Sequence, residues 1–113
     1  MSYSAEQVAE LKTLCPDAAQ CEEGGTTVFV LPSLVLPAGC TPGVVDALLW
    51  PVMRDNYPSR LYLSMLVVKP GAQPNWNSNI RILEKNWHAF SWNLHCSDLR
   101  LAQMVAEHLR GLR

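Results

Sequence analysis

Apolar positions recur with a helical period at the start of the chain. Val8, Leu11 and Cys15, with Leu14 beside them, form one stripe. Ser4-Ala5-Glu6-Gln7 ahead of it has the form of a capping box: Ser4 accepts from the Gln7 amide and the Gln7 side chain reaches back. Pro16 closes the segment, because a proline disfavours a helical residue before it. The pattern predicts a helix over Ala5–Leu14.

The period then changes. Cys21-Glu22-Glu23-Gly24-Gly25 reads as a turn, and Thr26-Thr27-Val28-Phe29-Val30-Leu31, rich in β-branched and aromatic residues, reads as a strand. Pro32 interrupts it and Leu34-Val35-Leu36 resumes, which predicts a strand that is kinked or at a sheet edge. Val44–Trp50 is a second strand, closed by Pro51, and Asp55-Asn56-Tyr57-Pro58 is a turn. In Leu61–Val68, Leu61, Leu63, Met65 and Val67 alternate with Tyr62, Ser64, Leu66 and Val68, the mark of a third strand. Short turns between the strands predict an antiparallel meander.

After Lys69, Pro70–Asn79 has the composition of a loop, and Ile80–Leu83 is a short candidate fourth strand. Lys85–His95 gathers Trp87, His88, Phe90, Trp92 and His95 without a clear period. Ser97 is a fitting N-cap for a last helix, with Asp98 beside it, and Leu101, Met104, Val105, His108 or Leu109, and Leu112 supply the apolar stripe. The order predicts an α+β fold in a single domain over residues 1–113. N- and C-terminal helices would lie on one face of an antiparallel meander sheet.

Composition narrows the function classes. The chain has 113 residues, 49% of them hydrophobic and 17% charged, with a net charge of −1. That balance calls for neither nucleic acid nor an anionic membrane surface as partner. Arg100, Arg110 and Arg113 in the last helix read as complements of the helix dipole. No apolar run approaches the ~20 residues of a spanning helix, and Met1–Glu6 has no signal-peptide form, so the expected location is the cytoplasm. Cys15, Cys21, Cys40 and Cys96 are then thiols, without a C-x-x-C spacing that would suggest zinc, and no cofactor is called for. Cys15 and Cys40 read as small buried hydrophobes.

Three short motifs carry a resemblance. Leu36-Pro37-Ala38-Gly39-Cys40-Thr41-Pro42, Tyr57-Pro58 and Trp87-His88-Ala89-Phe90-Ser91 occur in the order found in small bacterial members of the ubiquitin-conjugating enzyme superfamily. The likeness runs from about Thr27 to Arg113. It implies a ubiquitin-conjugating-like fold and a part in a bacterial conjugation-type pathway. The implied partners are a ubiquitin-like protein and its adenylating (activating) enzyme. The chain departs from ordinary members in having no His-Pro-Asn and no Trp-Ser-Pro, and in its short interval from Ser91 to Ser97.

Carrying a ubiquitin-like protein as a thioester, a transferase activity, takes an accessible cysteine and a donor for the oxyanion formed when an amine attacks. Cys96-Ser97-Asp98-Leu99 is similar to the run that opens the family's active-site segment, which implies Cys96 as the acceptor. Asn93 would supply the amide donor, and His95 or His88 would assist proton movement. The other reading makes Cys96 a core residue. Trp76, Trp87 and Trp92 are either a recognition surface for the partner or packing for the core. Two further functions stay open: a catalytically inactive variant of the same fold acting as a protein-interaction module, and a small assembly chaperone.

Overall fold

The computed structural model describes residues 3–54, 57–71, 73–90, 92 and 99–112. Helix α1 spans Ala5–Leu14, as its stripe predicts, and Ser4 Oγ accepts from the Gln7 N–H at 3.2 Å. The other half of the expected capping box is absent. Gln7 Oε1 instead accepts from the Leu101 N–H at 3.2 Å and so joins α1 to the last helix, α2, Leu101–Arg110.

Between the helices lies one antiparallel sheet of six strands: β1 Ala19–Glu23, β2 Thr26–Val35, β3 Val44–Trp50, β4 Arg60–Leu63, β5 Trp76–Ile82 and β6 Lys85–Phe90. Their order across the sheet is β1-β2-β3-β4-β6-β5. The α+β class and the meander through β2, β3 and β4 are present, and a hairpin stands at each end in addition. β1 replaces most of the turn expected at Cys21–Gly25, which shrinks to Gly24 and Gly25. Trp76–Asn79, read as loop, open β5, and the period-free stretch after Lys85 begins as β6.

Two strands deviate from their patterns. β2 is kinked at Pro32, with a register shift between Leu31 and Leu34 and Ser33 at φ 54, but it lies inside the sheet rather than at an edge. β4 stops at Leu63. Val67 still reaches the core and Val68 forms one bridge with Thr41, whereas Met65, expected beside Leu61 and Leu63, is exposed.

Both helices cover one face of the sheet. Leu11, Leu101, Val105 and Leu112 pack there with Phe29, Leu31, Val45, Ala47, Leu49, Leu61, Leu63 and Phe90. The opposite face is buried too: Val28, Leu48, Tyr62, Ile82 and Ala89 have no exposed surface, and Trp87 keeps 2%. Cys21 of β1, Ile80 of β5 and Leu83 between β5 and β6 pack onto that second cluster. The Leu83 N–H donates to Glu23 Oε2, which ties the tip of one end hairpin to the tip of the other. The sheet curls until its end hairpins close over its own second face.

Helix α2 begins at Leu101 with Arg100 as N-cap, not at Ser97, which lies outside the described residues. Gln103 Oε1 accepts from the Arg100 N–H at 2.8 Å. Arg100 therefore stands at the positive end of the helix dipole, the reverse of the placement expected from sequence. It is held there by Glu10, 2.7 Å from its Nε, with Glu6 at 3.8 Å. Arg110, in the last turn, occupies the favourable end, and Arg113 is outside the described residues.

The β5–β6 turn places two side-chain-bearing residues, Leu83 (φ 51) and Glu84 (φ 63), in the left-handed region. Each costs about 1 kcal/mol relative to glycine. Glu84 is exposed, so Glu84→Gly removes strain without opening a cavity. We expect it to raise unfolding stability by about 0.5 kcal/mol in urea titrations, after the added freedom of the unfolded chain is subtracted.

Candidate functional site

The thiol and its proposed helpers belong to the connection between β6 and α2. Cys96, Asn93 and His95 lie outside the described residues, as does Ser91. Of that connection, Trp92 is described. Its indole N–H donates to Glu107 O of α2 at 2.8 Å, and its ring lies across the helix end. A Cβ on Gly111 would meet Trp92 Cδ2 at 2.7 Å, so a glycine there admits the indole.

Of the other two candidate tryptophans, Trp76 packs on the same core as Trp92 and Trp87 does not. Trp87 is on the second face of the sheet, 2% exposed, with its N–H donated to Ile82 O at 2.9 Å. Trp76 is half-buried on the helix-bearing side, edge-on to Phe90 at 5.6 Å between centroids. Trp76 and Trp92 pack partly against the main core, and Trp87 belongs to the second. Trp87 is packing inside the second cluster, whereas Trp76 and Trp92 retain surface that a partner could touch.

Three cysteines are described. Cys15 is 1% exposed, with its thiol toward Pro32 O at 2.9 Å, and Cys40 is 8% exposed, with its thiol toward Leu112 O at 3.2 Å. Burial pushes both thiols up, only partly offset at Cys40 by Lys69. Both are the small buried hydrophobes expected, and neither can serve as a ready thiolate. Cys21 is half-buried against the second cluster.

His88, the alternative proton carrier, lies on β6 with Nδ1 3.0 Å from Ser78 Oγ. His108 is different in kind. It is 2% exposed on α2, with Nε2 3.1 Å from Ser59 Oγ, which itself donates to Trp50 O at 2.9 Å. With the Ser59 proton committed to that carbonyl, Nε2 must carry the hydrogen and donate to Ser59. The pair resembles a serine activated by a histidine, yet the proton runs the wrong way and neither group meets solvent. Burial, together with the nearby Arg60 charge, lowers the His108 pKa from 6.5 to about 4.

A cation–aromatic cluster, not foreseen from the sequence, surrounds the Tyr57-Pro58 turn. The Arg54 guanidinium lies 4.1 Å from the Trp50 ring centroid and 5.6 Å from that of Tyr62. Arg60, 4% exposed, lies 4.5 Å from Tyr57 and 5.7 Å from Tyr62, and donates to Asn77 Oδ1 at 3.2 Å. Planar cations stacked on rings keep the attraction and lose little hydration, which suits arginine over lysine. The signal was present as Arg54 and Arg60 bracketing Tyr57. Nothing in the alternation of β4 indicated that Arg60 would be buried.

No family model, no curated protein and no solved structure matches this chain. Among the described residues, no helix is long and apolar enough to cross a membrane.

His108 sets an acid limit on stability. Its folded pKa lies below its unfolded one, so the unfolded chain binds the proton first. The contribution of neutral His108 is complete above about pH 6.5 and is lost as pH falls toward 4, by up to about 3 kcal/mol. Urea midpoints measured from pH 7 to 4 should fall steeply for the natural chain. The slope should be shallower for His108→Gln, whatever that variant's stability at pH 7.

Proposed function

We propose that this chain carries or binds a ubiquitin-like protein in a bacterial conjugation-type pathway, with Cys96 as the thioester acceptor. The observation that carries the proposal is the disposition of the thiols. Cys15 and Cys40 are buried with raised pKa values and point at backbone carbonyls, and Cys21 packs on the second cluster. That disposition supports assigning the acceptor role to Cys96, in the connection between β6 and α2. The element order is consistent with it: α1, an antiparallel meander with Tyr57-Pro58 just before β4, then the β5–β6 hairpin and α2.

In this reading the Cys96 thiolate attacks the thioester carbonyl on the activating enzyme and forms a new thioester as the enzyme's thiolate leaves. An amine of the target then attacks the same carbonyl. Asn93 donates a hydrogen bond to the oxyanion, His95 takes the amine proton, and Cys96 departs as thiolate.

A second reading, an inactive interaction module, is favoured by a separate feature. Val35 and Val44, paired across β2 and β3, are 66% and 51% exposed, with Leu66 and Val68 at 52% and 63% further along the chain. Exposed apolar side chains of this kind often mark a protein contact.

The assay combines the chain with ATP, a ubiquitin-like protein and its activating enzyme, chosen from genes adjacent to this one. The expected product is an adduct that dithiothreitol removes. Cys96→Ser should give at most a thiol-resistant ester, and Cys21→Ser should still charge. Asn93→Ala should charge normally but transfer to amine about tenfold or more slowly, because its role is at the oxyanion. Binding without any thiol-sensitive adduct would assign the module reading. Absence of both would remove the proposal.

A further inference from the structure

The two ends of the sheet are finished differently. β5, one edge, is broken by a register shift between Asn77 and Ile80 and by Asn79 at φ 60, devices that spoil an edge for further pairing. β1, the other edge, pairs with β2 without a shift over its whole length, from Ala19↔Val30 to Glu23↔Thr26. It contains no proline, no lysine and no bulge.

The two-residue turn fixes where the spare backbone groups of β1 point. Gly24 and Gly25, at φ 57 and 83, make Glu23↔Thr26 the closing hydrogen-bonded pair. Alternation then makes Cys21↔Val28 and Ala19↔Val30 hydrogen-bonded pairs, and it turns the N–H and C=O of Gln20 and Glu22 outward. Ala19, Gln20 and Glu22 are exposed.

The charge of this side selects among possible occupants. From Thr13 to Met53 the chain has no Lys, Arg or His, while it carries Asp17, Glu22, Glu23 and Asp46. Arg81 of the β5–β6 hairpin lies beside Glu23 at the tip, so the acidic groups that matter along the edge are Asp17 and Glu22. Asp17 and Glu22, both exposed, flank the free edge. A second β1 strand would bring its own Glu22 and Glu23 to this acidic edge, and the added like charge opposes pairing. A basic strand meets the opposite situation. Gln20 and Glu22 project to one face of β1 and Cys21 to the other. An added strand would therefore place Lys or Arg on the first face and small apolar residues on the second.

We infer that β1 is a strand-addition site for an extended basic peptide segment, bound through the outward backbone groups of Gln20 and Glu22 and selected by the acidic side chains beside them. The inference does not depend on Cys96 and is independent of the proposed thioester.

The probe is an alternating lysine–valine peptide of about seven residues, long enough to span β1 with a residue at each end. Titrated into the isotope-labelled chain, it should bind saturably below about 1 mM and slow amide exchange at Gln20 and Glu22. Cys21, whose N–H already serves β2, should change little. The same peptide N-methylated at every second residue, blocking its pairing edge, should lose binding by about tenfold or more. Gln20→Pro removes only an outward N–H and should do the same while cross-strand contacts from Cys21 to Val28 persist. Glu22→Lys should weaken binding about threefold or more, and salt should reduce that difference.

Equal binding of the N-methylated peptide, unchanged binding by a folded Gln20→Pro chain, or no saturable binding to the natural chain would overturn the inference. Protection of Gln20 and Glu22 that rises with protein concentration alone would assign the edge to a second copy, and would overturn it as well.

Discussion

A single antiparallel sheet covered, among the described residues, by two ten-residue helices has more apolar surface than those helices can hide. The helices bury one face, and the sheet must bury the other with its own ends. Curling brings the β1–β2 and β5–β6 hairpins together over Val28, Leu48, Tyr62 and Trp87. The contact between Leu83 N–H and Glu23 fastens that closure with one charge-assisted hydrogen bond. The left-handed turn at Leu83 and Glu84 follows from the same demand. A two-residue connection twists with the strands, and the tip residues must accept that geometry even though neither is glycine.

Polar groups taken into the interior are handled by a consistent rule. For His108 and Arg60 the rule is plain: one is uncharged and hydrogen-bonded, the other a cation laid on aromatic rings. Burial keeps His108 neutral while it hydrogen-bonds Ser59, and the Arg60 guanidinium stacks on Tyr57 and Tyr62 while bonding Asn77. Their proximity is part of the rule, since the fixed charge on Arg60 helps keep the histidine deprotonated. At the surface the helices use ordinary ion pairs. Glu10 and Glu6 hold Arg100, and Gln7, released from its capping role, supplies the acceptor for the first N–H of α2.

How far the sequence alone reveals this depends on where each segment obtains its stability. α1, β2 and β3 carry their own patterns, so their helical stripe or β-branched runs were legible. β1 did not: Ala-Gln-Cys-Glu-Glu has weak strand propensity and becomes a strand only because β2 offers it a ladder. β6 was hidden by burial on both faces, which erases alternation, and β5 by a bulge that shifts its period. The start of α2 was misread because Ser97 is the better local cap, whereas the helix takes its first turn from contacts with α1 that no local pattern contains. At the candidate site the burial of Cys15 and Cys40 was legible from residue type. The joining of Ser59 and Arg60 to His108 was not, since it links positions far apart in the chain through the fold.

Trp92 and Gly111 behave as a peg and its notch. The indole occupies the space that any side chain at position 111 would need, and its N–H is anchored one turn back on the same helix. Neither position is free to vary by itself. A larger residue at 111 is acceptable only in a chain whose residue 92 has already become smaller, and a smaller residue at 92 leaves a void until 111 grows. Drift along such a lineage would pass through a less stable intermediate whichever change came first. The two positions are then expected to change as a correlated pair, an epistatic link between the end of the last helix and the connection that precedes it.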